Sequence, residues 1–104
     1  MTKPNRGEVW LVDLGLAAKV RPCLVISIPT LDPDRALVTL LPHTTSPRGS
    51  RFEVNVKVRF LRFGVFDAQN VVTIPQAKLI KKLGTLKPEQ LTPIEDAIRL
   101  WLGL

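Results

Sequence analysis

Residues 51–60 alternate without a break. Phe52, Val54, Val56, Val58 and Phe60 are apolar; Arg51, Glu53, Asn55, Lys57 and Arg59 are polar. Neighbouring side chains on a strand point to opposite faces, so this period of two predicts one face in a core and one wet, mostly cationic face. The remaining apolar segments are as short and are separated by turn residues. Residues 7–14 read as a first strand and 15–20 as a connecting loop. Residues 22–28 are almost wholly apolar, as a strand covered on both faces would be. A turn cluster at 29–34 leads to a third strand at 36–41, then a polar loop at 43–50 holding Pro47 and Gly49. After a break at 62–64, residues 71–74 and 78–83 read as two more short strands.

The C-terminus changes period. Thr92-Pro93-Ile94-Glu95 has the form of a capping box, with Thr as N-cap and Pro at the first helical position. Ile94, Ala97, Ile98, Trp101 and Leu102 follow at spacings of three and four, which predicts a packed stripe that buries Trp101. Gly103 is placed to cap the end, and Leu100 and Leu104, off the stripe, hint at a partner surface. The fold class expected is mainly β, a small and strongly bent barrel with one C-terminal α-helix.

At 104 residues the chain is sized for a single domain, 1–104, and 45% hydrophobic content can fill its core without staples. The lone cysteine, Cys23, has no partner for an intrachain disulfide and sits in an apolar run, which suits a small buried hydrophobe in a reducing cytoplasm. No signal peptide is expected, and no apolar stretch approaches the roughly 20 residues that span a bilayer. One His, one Cys and no clustered carboxylates make no recognisable metal site, and no cofactor is expected. The net charge of +6 favours a polyanionic partner through phosphate contact and counterion release.

Two strand ends give that partner a place. Arg21-Pro22 stands at the mouth of the run Cys23-Leu24-Val25-Ile26, and Pro42-His43-Thr44-Thr45-Ser46 at the exit of the next strand. A permanently charged guanidinium and a cluster of hydroxyls can converge on one phosphate. His43, the only histidine, has a side-chain type suited to proton transfer near neutral pH, but alternation sets it opposite Thr44 if the strand continues that far. Lys19, Arg48, Arg51, Lys57 and Arg59 flank the cleft or lie on the wet cationic face, as RNA contacts or simply as solubilising charge. Aromatic content of 6% with no Tyr makes stacking platforms inconspicuous.

These residues resemble the MazF/PemK (Kid-like) toxins of bacterial type II toxin–antitoxin systems. The resemblance runs through Arg6-Gly7-Glu8-Val9-Trp10, Arg21-Pro22-Cys23-Leu24-Val25-Ile26, Leu41-Pro42-His43-Thr44-Thr45-Ser46 and Phe52-Glu53-Val54. It continues through Asp67 to Gln76, Leu83-Gly84-Thr85-Leu86 and the terminal Leu102-Gly103-Leu104. It implies an SH3-like barrel of the CcdB/Kid/MazF type that works as a homodimer. It also implies metal-independent, sequence-specific cleavage of single-stranded RNA and inhibition by a cognate antitoxin lying in the RNA groove. By analogy Arg21 and Thr44 act at the scissile phosphate, with Thr45, Ser46 and Gln76 as further RNA-binding candidates. One departure is visible. Members often carry an acid immediately before a Gln on a late strand, and some an Arg two residues earlier; here Pro75 precedes Gln76, and Thr73 takes the other position. Two alternatives use the same fold: a gyrase-directed toxin acting through a terminal Trp, and a noncatalytic nucleic-acid-binding module.

Overall fold

The computed structural model describes residues 3–15 and 19–104. Among these residues seven strands form one sheet: β1 (Glu8–Asp13), β2 (Val20–Val25), β3 (Leu37–Thr44), β4 (Glu53–Val54), β5 (Val65–Asp67), β6 (Val72–Pro75) and β7 (Leu79–Thr85). One helix, α1 (Pro88–Leu102), follows. The ladder runs β4-β5-β3-β2-β1-β7, with β6 also on β3, and every pairing among the described residues is antiparallel. The fold is the expected mainly-β domain with a terminal helix, although the ladder does not close into a complete barrel among the described residues.

The sheet has apolar residues on both faces, as the near-continuous apolar runs of β2 and β3 require. Val9, Leu24, Leu41 and Phe66 pack with Ile94 and Ala97 of α1 in the larger cluster. Val12, Cys23, Val25, Val38, Leu40 and Leu79 form a second cluster on the other face. The Arg6–Trp10 segment pins the chain start. Gly7, at φ 94°, donates to Val25 O and accepts from Leu86 N, at 2.8 and 2.9 Å. Glu8 accepts from Asn5 N and Trp10 Nε1, and its carboxylate lies 3.1 Å from Lys82 Nζ. Burial pushes the Glu8 carboxyl up, but the Asn5, Trp10 and Lys82 donors outweigh it and hold the group at about 2.

Several boundaries differ from the sequence reading. β2 starts at Val20 rather than Pro22, because Val20 and Arg21 pair with Asp13 and Val12 of β1. β3 runs on to Thr44, since His43 and Thr44 find partners in Phe66 and Val65 of β5, a strand the local pattern does not announce. The alternation over residues 51–60 holds as burial: Val54, Val56, Val58 and Phe60 pack on the larger cluster. As a hydrogen-bonded strand it shrinks to Glu53–Val54, because β5 offers only a short partner. Phe60 instead lies against Gly84 of β7, where a Cβ would come within 2.6 Å of its ring.

The helix begins one turn before the predicted cap. Pro88 takes the first helical position, and the Gln90 side chain accepts the Lys87 N–H at 2.8 Å. Pro93 therefore lies inside the helix, and Thr92 donates to Pro88 O instead of capping. Gly103 does end it, at φ 72°. Trp101 is not buried: it is 44% exposed and sits edge-on to Phe52, and Leu100, Leu102 and Leu104 are exposed beside it. Only Ile94 and Ala97 lie deep in the core, and the last turn runs past its edge. No helix among the described residues is long and apolar enough to cross a membrane.

Candidate active site

The β2–β3 register decides what Arg21 meets. Val25 pairs with Leu40, Leu24 with Leu41 and Cys23 with Pro42. Carried two residues further, the same register sets Arg21 across from Thr44, and opposite residues of an antiparallel pair share a face with Cβ atoms roughly 5 Å apart. His43, one residue before, turns to the other face. It is buried against Phe66, ring centroids 5.0 Å apart, with Gly64 pressed so close that a Cβ there would lie 2.6 Å from His43 Cε1.

Two adjoining cavities open at this strand end. The larger, about 520 Å³, is lined by Lys19, Arg21, His43, Thr44, Thr45, Ser46 and the Phe60–Arg62 segment. The second, about 320 Å³, is lined by Arg21, Pro42, Thr44, Ser46, Arg48, Glu53, Asp67 and Asn70. Arg21, Thr44 and Ser46 belong to both, so they form the ridge between them. Thr44 Oγ1 accepts the Ser46 N–H at 3.1 Å, which leaves the hydroxyl proton for another acceptor. A guanidinium and a hydroxyl donor on one ridge, with Lys19 on one side and Arg48 on the other, suit the oxygens of a phosphodiester.

The loop after β3 is held by an acid. The Arg48, Gly49 and Ser50 N–H groups donate to the Glu53 carboxylate at 2.7–3.1 Å. The Arg48 backbone bond leads in holding this carboxyl below its ordinary range; some desolvation opposes it, and the Ser50 and Gly49 bonds and the Arg48 charge add to the lowering. Its folded pKa being depressed, the clamp contributes at pH values above the unfolded carboxyl's pKa and is lost as pH falls through the folded one. Glu53→Ala is therefore expected to lower the amide protection factors at residues 48–50 several-fold at neutral pH, and acidification of the wild type should lower them too once exchange is referred to the intrinsic rate at each pH. Unchanged exchange in the variant would show that the clamp is not what orders this loop.

Residues 5–102 match the PemK-like, MazF-like toxins of type II toxin–antitoxin systems. The chain belongs to this family. A mycobacterial endoribonuclease solved in complex with its cognate antitoxin is 29% identical, with 97% of this chain and 96% of that one aligned at a TM-score of 0.83. Mycobacterium tuberculosis toxin MazF-mt6 is 30% identical over 93% of this chain and 97% of its own, at 0.80. MazF from Deinococcus radiodurans shares the fold over 100% of both chains, at 23% identity and 0.83.

In this MazF-like toxin the sequence-selected residues separate into two sets. Arg21, Thr44, Thr45, Ser46, Lys19 and Arg48 come together at the two cavities. His43 also touches the larger one, but it is 3% exposed; its Nε2 has no hydrogen-bond partner among the described residues, and burial holds its pKa below the ordinary histidine value. Lys57 lies at a third, neighbouring cavity. Arg51 is exposed with its guanidinium 4.8 Å over the Phe52 ring, and Arg59 is exposed; neither lines these cavities. Gln76 is carried elsewhere. It is buried, and its amide donates to Thr30 Oγ1 and Leu37 O. Leu37 begins β3 and Thr44 ends it, so most of a strand separates Gln76 from the ridge.

The position of Pro75, at the Leu37 end of β3, explains why its missing carboxylate leaves no gap at the ridge. The acids near the ridge are Glu53 and Asp67, paired across β4 and β5. Asp67 accepts from Gln69 N and Asn70 Nδ2, so it too orders backbone beside the second cavity. The sequence signal for both was modest: an acid opposite a turn, with donors a few residues away. Cys23 is fully buried, and burial pushes its thiol up to about 12 despite the nearby Arg21 charge, so it packs rather than reacts. Among the described residues no group of three or more His, Cys, Asp or Glu side chains is arranged to hold a metal ion.

Proposed function

We propose that this toxin is an endoribonuclease that cleaves single-stranded RNA by attack of a ribose 2′-oxygen on the adjacent phosphorus, without a metal. The new P–O bond closes a 2′,3′-cyclic phosphate as the bond to the leaving 5′-oxygen breaks, and the 2′-OH proton is lost while the leaving oxygen gains one. Negative charge builds on the non-bridging oxygens in the transition state. Arg21 stabilises that charge with two donors in a fixed fork, and Thr44 adds a neutral donor. Arg21 works as charge rather than as base, since a guanidinium does not give up its proton at physiological pH. The observation that carries this reading is the shared ridge: Arg21, Thr44 and Ser46 face both cavities, so a strand can lie across it with its phosphate on the guanidinium.

Lys19, Thr45, Ser46, Arg48, Lys57, Arg51 and Arg59 hold the RNA backbone on either side. His43 serves as a packed support behind Thr44. The toxin acts as a homodimer in the cytoplasm and is neutralised by a cognate antitoxin that covers the ridge, in keeping with the antitoxin complex of the mycobacterial relative.

The 44% exposure of Trp101 gives one observation in favour of a gyrase-directed toxin. Its edge-on seat against Phe52 and the endoribonuclease relatives favour RNA cleavage. Purified toxin incubated with single-stranded RNA and, separately, with a supercoiling reaction distinguishes the two. Cut RNA with normal supercoiling is expected. Intact RNA with supercoiling blocked would replace this reading by the other.

A further inference from the structure

A third cavity, about 260 Å³, continues from the larger one: Leu61 and Arg62 line both. Its remaining wall includes Asn55, Lys57, Val58 and Phe63. Phe63 is 75% exposed, the most exposed aromatic side chain among the described residues. A single exposed Phe is ordinary by itself. Here it stands beside a cavity that adjoins the proposed phosphate site, among two cations and no anion. Segment 55–58 in the same wall lies outside the strand ladder, as β4 ends at Val54.

We propose that this cavity is a nucleobase subsite, in which Phe63 stacks one base of the RNA strand whose scissile phosphate lies on Arg21. The assignment rests on the RNA-cleaving reading above. A base offers a π-face to the ring, and its hydrogen-bonding edge meets the amide of the exposed Asn55. Lys57 and Arg62 neutralise the flanking phosphates. The occupant is RNA rather than a protein, because the wall joins an apolar plate to cations and runs on from the Arg21–Thr44 ridge.

The test is equilibrium binding of a short mixed-sequence 2′-O-methyl RNA, which cannot be cut, by wild type, Phe63→Leu and Phe63→Trp. Loss of stacking in Phe63→Leu is expected to weaken binding roughly tenfold, with Phe63→Trp close to wild type. On cleavable RNA, Phe63→Leu should raise KM with little change in kcat and relax the preference at one nucleotide beside the cut. Equal RNA affinity in all three proteins would overturn the subsite, whether or not wild type cleaves RNA. So would an altered oligomeric mass or antitoxin affinity in Phe63→Leu with RNA binding intact, which would assign Phe63 to a protein contact. Absence of cleavage by wild type, with Phe63→Leu still weakened, would fault the catalytic reading and leave the subsite standing.

Discussion

Arg21→Ala is expected to lower the cleavage rate constant by about 10²–10³-fold, the range found when one preorganised donor to a developing oxyanion is removed. The loss should fall mainly on kcat. The guanidinium is asked to bind charge that exists fully only in the transition state, and an interaction of that kind leaves KM nearly unchanged when it is removed. Thr44→Ala should cost less, because a neutral hydroxyl is a weaker donor than a cation. The two sites share a face and a phosphate, so the double variant should lose less than the product of the single losses. Independent sites would add to within about 0.5 kcal/mol. Cleavage by Arg21→Ala is to be compared with wild type well below the variant's Tm, so that the loss reads chemistry rather than folding. A variant that melts early and cleaves poorly would point to a structural role for Arg21.

Phe66→Ala should destabilise the fold by about 3–5 kcal/mol, the usual cost of deleting a fully buried aromatic ring. Phe66 is completely buried, packs within the larger cluster, pairs with His43 across β3 and β5 and meets its ring edge-on. A domain of this size has only about 5–15 kcal/mol of stability in all. Each kcal/mol shifts Tm by about 4–8 °C, so a fall of more than about 12 °C is expected. The same substitution loosens the strand end that carries Thr44, since His43 loses the wall behind it. Cleavage measured well below the variant's Tm should therefore also fall. A variant that melts within a few degrees of wild type would show that the larger cluster can refill the space, and that Thr44 is held some other way.

How much of this could be read from the chain varies with the distance over which each fact is decided. The convergence of Arg21 and Thr44 was legible, because they flank consecutive strands and an antiparallel connection brings the start of one to the end of the next. The inward face of residues 51–60 was legible too, since alternation is local. Its loss of ladder partners was not, because that depends on β5, three residues long and without a pattern of its own. The helix start was misplaced because Thr92-Pro93-Ile94-Glu95 has the better local form, whereas the real cap uses the Gln90 side chain behind Lys87. Trp101 does fall on the stripe, but the stripe outlasts the core: Ile94 and Ala97 are buried, and the last turn runs past the core's edge. Gln76 sits near Pro75 in sequence, but the β3–β6 register takes both to the Leu37 end, away from the ridge. Glu53 belongs to the wet face of the alternation; its grip on three backbone N–H groups exists only once the loop has folded back.

The product ends left by wild-type protein on single-stranded RNA in excess EDTA test the central claim most directly. Cleavage that proceeds unimpeded and leaves 2′,3′-cyclic phosphate and 5′-hydroxyl termini is the predicted result, because the proposed mechanism has the 2′-oxygen as nucleophile and a guanidinium in place of a metal. Cleavage that stops when divalent ions are removed, or that leaves 5′-phosphate termini, would contradict the account.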